Sequence, residues 1–558
     1  MSASSSAARP EYQHFVPQFL LRNFAHPYSP PKNGTQRQKR SKKKGARIYS
    51  GDPVVNNVNL TVDPLSLEET PVKRVLGIDD MYQDTNQPTP QQQRYIESLF
   101  GRLESEASPI FRRIVKASEG GDQGLWLTRQ ERDRIRKFLF LLKYRGSTFH
   151  QRYYRMQPSD YDYNDQEQLR DYMREKGFER PVDVWFHNIK AFAELEMDVG
   201  NKWITELLLK VYPADAMWFI SHVQQMYMAI CTPEDDSDQF VLTDNSYNVF
   251  EGVDTYVRDP ETGKPRGSSW VNFHEFAPVS PKLMIVLRSF LIPVPEEDAN
   301  AATKAERDLW RKMAVDDVFA PGTKSSLADL PITKARNNYS EVINGQVRST
   351  RSDTTKRKDD RFCFSFFRLG TDHVNRINGF LLDNARNCTR ILFQSRDSFK
   401  KTLEWYMTEP CEYGKQVLGA DMEARLKLLK GLAALMRSMG SSAKPVWDES
   451  RVYNYPLSDT EKMRLMSEAF KRICKKYFES PSRNTSPVDK QKSGDMPIYT
   501  LLGMVSVRLM LNSVLSLVYR RIHGYIRLRC GAEPKNDATA HQNRLLVSGC
   551  AGVYSEEK

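Results

Sequence analysis

The spacing of apolar residues predicts helices in the N-terminal part of the chain. Within residues 91–116 the apolar positions are 96, 99, 100, 103, 107, 110, 111 and 114, which is the spacing of an amphipathic helix. Pro109 lies inside this stretch and is expected to kink or end the helix. Thr128 followed by Glu131 has the sequence of a capping box. A second helix is therefore predicted to start after Thr128, with one apolar stripe that continues to Phe149.

Short apolar runs separated by turn-forming residues predict strands between residues 226 and 290. The runs are Met226 to Ile230, Phe240 to Thr243, Asn248 to Phe250, Val271 to Phe276 and Leu283 to Leu287. They are few and short compared with the helical segments. The sequence therefore predicts an α+β fold that is predominantly α-helical, with a small, mostly antiparallel sheet.

Changes in composition predict how the chain is divided. Residues 1–405 are expected to form a helical body with the small sheet, interrupted by an exposed basic loop at 30–45 and a mobile insertion at 295–360, where charged and small residues predominate. Residues 406–558 are expected to form a helical C-terminal extension. A linker rich in Ser, Pro, Asn and Lys is predicted at 480–495.

Composition and charge limit the class of protein. The chain has 558 residues, of which 40% are hydrophobic and 11% aromatic, so a wholly disordered or fibrous protein is excluded. The formal net charge is +12, and six positive charges lie in one run, Arg37 to Lys44. The net charge of the other residues is too small to indicate that the folded part of the chain binds nucleic acid. The run itself fits either nuclear import or nucleic-acid contact, or a solvated loop without a specific role.

The cysteines and the amino terminus predict an intracellular protein of the cytoplasm or nucleus. The closest two of the seven cysteines are 20 residues apart, so no short zinc-binding spacing exists, and the odd count argues against a disulfide framework. Residues 1–10 contain no apolar segment of a secretory signal.

One C-terminal stretch is long and apolar enough to be weighed as a membrane span. Met496 to Tyr519 could cross a bilayer, but Arg508 and Asn512 lie near its middle. A membrane span is therefore disfavoured. The predicted helix 497–529 is expected to pack internally or to bind a protein partner.

A set of short motifs occurs in a recognisable order along the chain. It comprises His14-x-x-Pro17-x-x-x-Leu21-Arg22-x-Phe24, Tyr82, Ile96-Glu97 with Leu103-Glu104, Leu141 to Arg145, Phe240 to Asn245, Pro278 to Pro281, Asn378, and Asn384-Ala385. This order resembles the domain of unknown function 4238 family over about residues 10–405. Ser246 departs from the family, in which a proline is usual. Since no activity is established for the family, the resemblance implies a shared fold and candidate positions but no reaction.

Charged residues beside apolar stripes are the first candidates for a site. Arg145 lies on the apolar stripe of its predicted helix, where an unpaired guanidinium would be very costly. Glu97 and Glu104 lie two turns apart beside the stripe of the preceding helix. We expect Glu104 or Glu97 to pair with Arg145. Glu104 and Arg145 are thus candidates either for an architectural ion pair or for a catalytic site.

Two functions follow from these residues. In the first, the buried polar residues are architectural, and the chain is a non-catalytic interaction or regulatory protein. In the second, a polar pocket serves a hydrolase or a binding protein for a phosphate-bearing ligand such as nucleic acid. There His14 would act as a base and Asp244 as an acid or metal ligand, while Arg145 and Arg22 would hold the anion and Asn245 would contact the ligand.

The common catalytic and metal motifs are missing from the sequence. It contains no P-loop, no GxGxxG after a strand, no GxSxG, no HExxH and no kinase signature. A calcium loop at residues 160–171 is disfavoured because Asp165 stands where the sharp turn requires glycine. The sequence therefore leaves open whether the protein is an enzyme, and it indicates no cofactor and no metal ligand set.

Overall fold

The structure is a computed structural model that describes residues 10–30 and 48–449. Shorter gaps in this description fall at 162, 164, 252–254, 259–264, 270–271, 294–297, 312–323, 344–345, 354, 411–413, 416 and 418–421. The run Arg37 to Lys44, the linker 480–495 and the predicted helix 497–529 lie outside the described residues. The described residues all belong to one compact unit, residues 1–462.

Thirteen α-helices lie in the described part of the chain. They are α1 (Gln18–Leu21), α2 (Pro90–Gln93), α3 (Tyr95–Glu119), α4 (Arg129–Tyr144), α5 (Ser147–Tyr153), α6 (Gln166–Lys176), α7 (Pro181–Glu194), α8 (Lys202–Lys210), α9 (Pro213–Gln224), α10 (Ala301–Arg311), α11 (Thr371–Asp383), α12 (Arg396–Thr408) and α13 (Met422–Ser438).

The two helices expected from the N-terminal pattern are both present. α3 runs through Pro109 to Glu119, so the expected end at the proline was wrong. The capping box before α4 is confirmed. The Thr128 hydroxyl accepts a hydrogen bond from the Glu131 backbone N–H at 3.2 Å, and the Thr128 N–H donates to the Glu131 carboxylate at 2.8 Å.

Eighteen strands lie in the same described part. They are β1 (Tyr12–His14), β2 (His26–Pro27), β3 (Pro53–Asn59), β4 (Ser66–Pro71), β5 (Gly77–Asp79), β6 (Gly124–Thr128), β7 (Met226–Pro233), β8 (Leu242–Thr243), β9 (Phe250–Glu251), β10 (Thr255–Arg258), β11 (Pro265–Ser269), β12 (His274–Ser280), β13 (Leu283–Ser289), β14 (Arg336–Asn337), β15 (Ser340–Ile343), β16 (Gln346–Ser349), β17 (Arg361–Leu369) and β18 (Arg390–Phe393).

The strands form one large sheet, one of intermediate size and three pairs. The large sheet has seven strands in the order β14-β17-β7-β13-β12-β9, with β6 also paired to β17. The second sheet has the order β2-β3-β18-β8, with β4 paired to β3, and the pairs are β1 with β5, β10 with β11, and β15 with β16. β17 runs parallel to β7, whereas its pairing with β6 is antiparallel.

The central strands of the large sheet are buried on both faces. In β7, Met228 and Ile230 contribute to one core, and the alternate residues Ala229 and Cys231 contribute to another. This alternation follows from the two-residue period of a strand. The first core is built mainly with α3 to α9 and the second mainly with α11 to α13. The large sheet therefore lies between two helical layers.

The predicted fold class was wrong. Strands make up 20% of the structure in several sheets, one of seven strands, so the fold is not predominantly helical with one small sheet. The two longest strands that were missed differ in their local pattern. β3 carries three asparagines, so long-range pairing rather than local pattern makes it a strand. β17 follows a basic segment, but Phe362, Phe364 and Phe366 recur at the two-residue period of a strand, which was a local signal for it.

Part of the span 295–360 is built into the fold. It contains α10 and the strands β14 to β16. Between them, Leu327, Leu330 and Ile332 are buried in the second core. These three side chains are apolar anchors within a segment that its charged composition predicts to be a mobile insertion.

The described helices were also compared with the dimensions of a lipid bilayer. Between residues 10–30 and 48–449, outside the gaps given above, no helix is both long enough and apolar enough to cross one. The stretch Met496 to Tyr519 lies outside the described residues.

Candidate functional site

Arg145 and Glu104 form the ion pair that the helix patterns predict. Arg145 directly follows α4 and is 1% exposed, and its Nη2 lies 2.8 Å from Oε1 of Glu104 on α3. Its Nε donates to the carbonyl of Phe15 at 3.0 Å, and its guanidinium lies over the ring of Phe100 at 4.6 Å. Burial disfavours the charge, but Glu104 holds the pKa of Arg145 above its usual value. Two nitrogens and one face of the guanidinium are thus engaged by the protein.

Glu97 interacts electrostatically with the Arg145 guanidinium, but no hydrogen bond or ion pair joins the two side chains among the described contacts. Burial raises the pKa of Glu97, and Arg145 opposes this shift. Tyr82 adds a neutral contact, since its hydroxyl donates to the Arg145 carbonyl at 3.1 Å. Glu104, rather than Glu97, is therefore the partner of Arg145.

His14 is half-buried at the end of β1, close to this pair. Its Nε2 lies 3.1 Å from the Val72 carbonyl, an acceptor, so this nitrogen is the donor. Burial lowers the pKa of His14, Arg145 lowers it further, and Glu104 opposes the shift. The structure thus brings His14, Glu104 and Arg145 together, with the histidine favoured as neutral.

Asp244 is used by the backbone of another segment. Its Oδ2 accepts from the Thr389 N–H at 2.9 Å and from the Thr389 hydroxyl at 2.6 Å, and its Oδ1 accepts from the Arg390 N–H at 2.9 Å. Burial raises the pKa of Asp244, and these donors oppose the shift. No hydrogen bond or ion pair within the described residues joins Asp244 to His14 or Arg145.

The other two candidates, Asn245 and Arg22, also have surroundings that differ from those of the predicted pocket. Asn245 donates to the Asn384 carbonyl at 3.0 Å and accepts from the Thr243 hydroxyl at 2.8 Å. Arg22 is exposed, and its side chain makes no hydrogen bond or ion pair with the described residues. Buried Arg145 and exposed Arg22 therefore face different environments.

The motif residues also connect distant parts of the chain. Asn378 on α11 donates to the Gln239 carbonyl at 2.8 Å and accepts from the Val241 N–H at 3.1 Å. Asn23 donates to the Val279 carbonyl at 2.8 Å. Such side-chain bonds to backbone groups position segments relative to one another.

A buried cluster that the sequence did not reveal lies on the first-core side of the large sheet. Lys143 of α4 is 4% exposed and forms a short ion pair with Glu275 of β12. Its Nζ also lies 2.9 Å from Nδ1 of His222 on α9, whose Nε2 lies 3.0 Å from the Arg136 carbonyl. The carbonyl makes Nε2 the donor, so Nδ1 accepts from the ammonium.

The charges of this cluster are set by burial and by the pair itself. Burial lowers the pKa of Lys143, and Glu275 opposes the shift. Burial would raise the pKa of Glu275, but the Lys143 ammonium holds it well below its usual range. A small cavity beside Lys143 and Glu275, bordered by Trp218 and Asn272, has room for about one water molecule. It is too small for an organic substrate, and the cluster joins α4, α9 and β12.

A second missed cluster lies on the opposite face of the same sheet. Nδ1 of His274 lies 2.6 Å from Oε2 of Glu251, which also accepts from the Ser325 hydroxyl at 2.8 Å. Ser326 donates through its hydroxyl to Oε1 of Glu251 at 3.0 Å. Nε2 of His274 is buried, with no hydrogen-bond partner among the described residues.

This arrangement resembles a catalytic triad only in composition. A catalytic serine bonds to the histidine nitrogen that the carboxylate does not use. Here Ser325 bonds to Glu251 itself, and His274 is 0% exposed. One signal for both missed clusters was present in the sequence. His274 and Glu275 are adjacent polar residues in a predicted buried strand, and neighbours in a strand face opposite sides.

Within the described ranges, no three His, Cys, Asp or Glu side chains are grouped so that they could hold a metal ion.

Comparison with protein families gives one result. A family model described as "Protein of unknown function (DUF4238)" matches residues 12–397. The chain belongs to this family. The resemblance expected from the ordered motifs is confirmed, and the DUF4238 region contains both missed clusters as well as the pair Arg145–Glu104. No curated protein and no solved structure matches the chain.

Proposed function

We propose that this DUF4238 protein is a non-catalytic binding protein whose partner bears phosphate groups. The binding surface is the basic cluster, which we define as Arg336, Lys356, Lys358 and Arg361. This surface differs from the pocket expected around His14, Arg145 and Asp244.

The contacts of the predicted catalytic residues support a binding role without catalysis. Arg145 is engaged by Glu104 and the Phe15 carbonyl, and both oxygens of Asp244 accept backbone donors. These bonds hold segments of the chain in place. The architectural role of these residues follows the pattern of buried ion pairs that specify how elements meet.

The single observation that carries the proposal is the lack of carboxylate partners in the basic cluster. All four side chains belong to exposed residues, and none pairs with a carboxylate of the described residues. Neighbouring cations are paired, since Arg129 bonds to Asp360. The cluster is therefore a surface with excess positive charge.

The local sequence also carries an excess of positive charge, and other cations lie close to Lys356. Residues 334–368 contain nine basic and four acidic residues, a net charge of +5. The pKa of Lys356 is lowered first by partial burial of its ammonium and then by Arg129 and Arg132. Like charges held close together favour the binding of a polyanion, which reduces their repulsion.

The test is binding of the full chain to a labelled 20-base-pair DNA duplex and to heparin, measured by fluorescence anisotropy over a range of salt concentrations. Replacing all four residues of the basic cluster by Gln is expected to weaken binding at least tenfold. It should also flatten the slope of log K against log salt, by about 0.9 for each phosphate that the variant no longer neutralises.

The matched control removes the same charge elsewhere. Arg102, Arg112, Lys427 and Lys430 are exposed residues on α3 and α13. Replacing these four by Gln is expected to leave the affinity and the salt slope nearly unchanged. Equal losses in both variants would show only a response to net charge and would overturn the proposed surface, as would a wild-type protein that binds neither polyanion.

A further inference from the structure

Three neighbouring strands present an uncovered row of side chains near the basic cluster. In the register of the large sheet, Trp126 of β6 lies opposite Cys363 of β17, and Cys363 lies opposite Arg336 of β14. Directly opposed residues share a face of the sheet. The Nη2 of Arg336 lies 4.0 Å from the Sγ of Cys363, as this placement requires.

The other face of β6 is fully used by the first core. Leu125 and Leu127, the neighbours of Trp126 in the strand, are both buried there. Trp126 itself is 47% exposed. The strand therefore buries its leucines and presents an indole to solvent, which is the reverse of what a purely structural tryptophan does.

The exposed indole lies beside two residues of the basic cluster. Arg361 is opposite Thr128, so it is the diagonal neighbour of Trp126 on the same face. Arg336 is two strands away, about 10 Å in the plane of the sheet. From these two positions on the same face, extended arginine side chains can reach toward the region above the indole.

We infer that this face binds a single-stranded nucleic acid, with one base stacked on Trp126 and the neighbouring phosphates contacted by Arg336 and Arg361. The inference rests on the proposed function and names the partner class. An exposed aromatic ring among cations is suited to a single strand because unpaired bases stack on aromatic rings while cations bind the backbone. In a duplex the bases are already stacked on one another and do not offer a free ring face.

The experiment compares a 20-nucleotide oligo-dT, a duplex of the same length and heparin, each titrated with the full chain at one salt concentration. The variant Trp126→Ala is expected to lose about tenfold or more in affinity for oligo-dT, which is the range for one stacked base. Its affinities for the duplex and heparin should stay within about twofold. Trp126→Phe should retain most of the affinity for oligo-dT, because a smaller ring can still stack.

The control is Tyr49→Ala, which removes another aromatic side chain that is 63% exposed. It is expected to leave binding to oligo-dT unchanged. Circular dichroism melts of all variants check that the fold is retained, as expected for changes at exposed positions. Wild-type protein should also show quenching of tryptophan emission on binding oligo-dT, and Trp126→Phe should lose that share of the quenching.

The outcomes separate the inference from the proposed function. Unchanged affinity of Trp126→Ala for oligo-dT, together with binding that still depends on the basic cluster, would overturn the stacking site and leave the proposed function standing. Preference of the wild type for the duplex over oligo-dT would do the same. Preference for heparin, which bears sulfate and no phosphate, over both nucleic acids would overturn the proposed function as well. If the wild type binds none of the three polyanions, the proposed function and the inference are both overturned.

Discussion

Arg145 and Glu104 join two helices through one buried guanidinium, whose Nη2 lies 2.8 Å from the glutamate Oε1. The two partners differ in exposure, since the arginine side chain is 2% exposed and the glutamate 29%. Removing the arginine therefore removes both a buried charge and a hydrogen bond to Phe15, while leaving a carboxylate that water can reach.

We predict that Arg145→Met destabilises the protein by about 2–4 kcal/mol, because methionine can make neither the ion pair, nor the bond to the Phe15 carbonyl, nor the cation–π interaction with the Phe100 ring. Urea unfolding followed by circular dichroism measures the change. Arg112→Met, at an exposed position of α3, should change stability by less than about 0.5 kcal/mol. Equal stability of Arg145→Met and wild type would show that the pair is not architectural.

The apolar pattern of the two helices was sufficient to predict the pair Arg145–Glu104. It did not predict the clusters around Lys143 and His274. Arg145 and Glu104 could be matched because each lies on an apolar helical stripe, whose period is visible in the sequence. Lys143 and Glu275 are brought together only by packing α4 on the large sheet, 132 positions apart. No local pattern encodes that pairing.

The difference between local patterns and long-range contacts also bears on which strands were expected. β7, β12 and β13 are apolar runs and were expected as strands. β17 was not expected, although its phenylalanines recur at the period of a strand. Its place in the sheet depends on pairing with β6, β7 and β14 from three distant segments. The sheet therefore has more strands than the apolar runs in the sequence indicate.

Glu275→Gln should destabilise the protein by about 3 kcal/mol at pH 7, because it leaves the Lys143 ammonium buried without its counter-ion. The pKa of Glu275 is lowered in the folded protein, so its contribution is fully present above the unfolded value of about 4.3 and is lost as the pH falls below it. The difference in unfolding free energy between wild type and Glu275→Gln should therefore narrow below about pH 4.

Guanidinium unfolding at pH 7 and at a pH near 3.5 tests this prediction. Glu206→Gln serves as the control, since Glu206 pairs with Lys210 on the surface and should contribute less than about 1 kcal/mol. A difference that stays constant over this pH range would contradict the assigned ionisation of Glu275.

His274 should be neutral, with its proton on Nδ1, because that nitrogen donates to the Glu251 carboxylate while Nε2 has no described partner. Burial lowers the pKa of His274 below its ordinary value, so the ring should be neutral at pH 7 in the folded protein. The contribution of His274 to folding stability should accordingly fall as the pH drops below the pKa of histidine in the unfolded chain, about 6.5.

Long-range ¹H–¹⁵N correlation spectra detect the tautomer directly, and His274→Gln assigns the signal. A protonated Nε2 at pH 7 would reverse the assignment. Glu251→Gln should weaken the preference for the Nδ1 tautomer, because an amide is a poorer acceptor than a carboxylate.

Thr128→Ala should cost about 1 kcal/mol, because the hydroxyl of the capping box accepts from the Glu131 N–H at the start of α4. Thermal unfolding measures the loss. Thr128→Ser keeps the accepting oxygen and should retain most of the stability, so equal losses in the two variants would point to the methyl group instead of the cap.

The parallel pairing of β7 with β17 has a consequence for synthesis of the chain. β7 ends at Pro233, whereas its partner residues begin at Phe366. The ribosome must therefore add roughly 130 residues between the two, which takes about 10 seconds or more at typical rates of translation. During this time one edge of a mostly apolar strand lacks its neighbour. A nascent chain of this family should accordingly depend on chaperone protection until β17 has emerged.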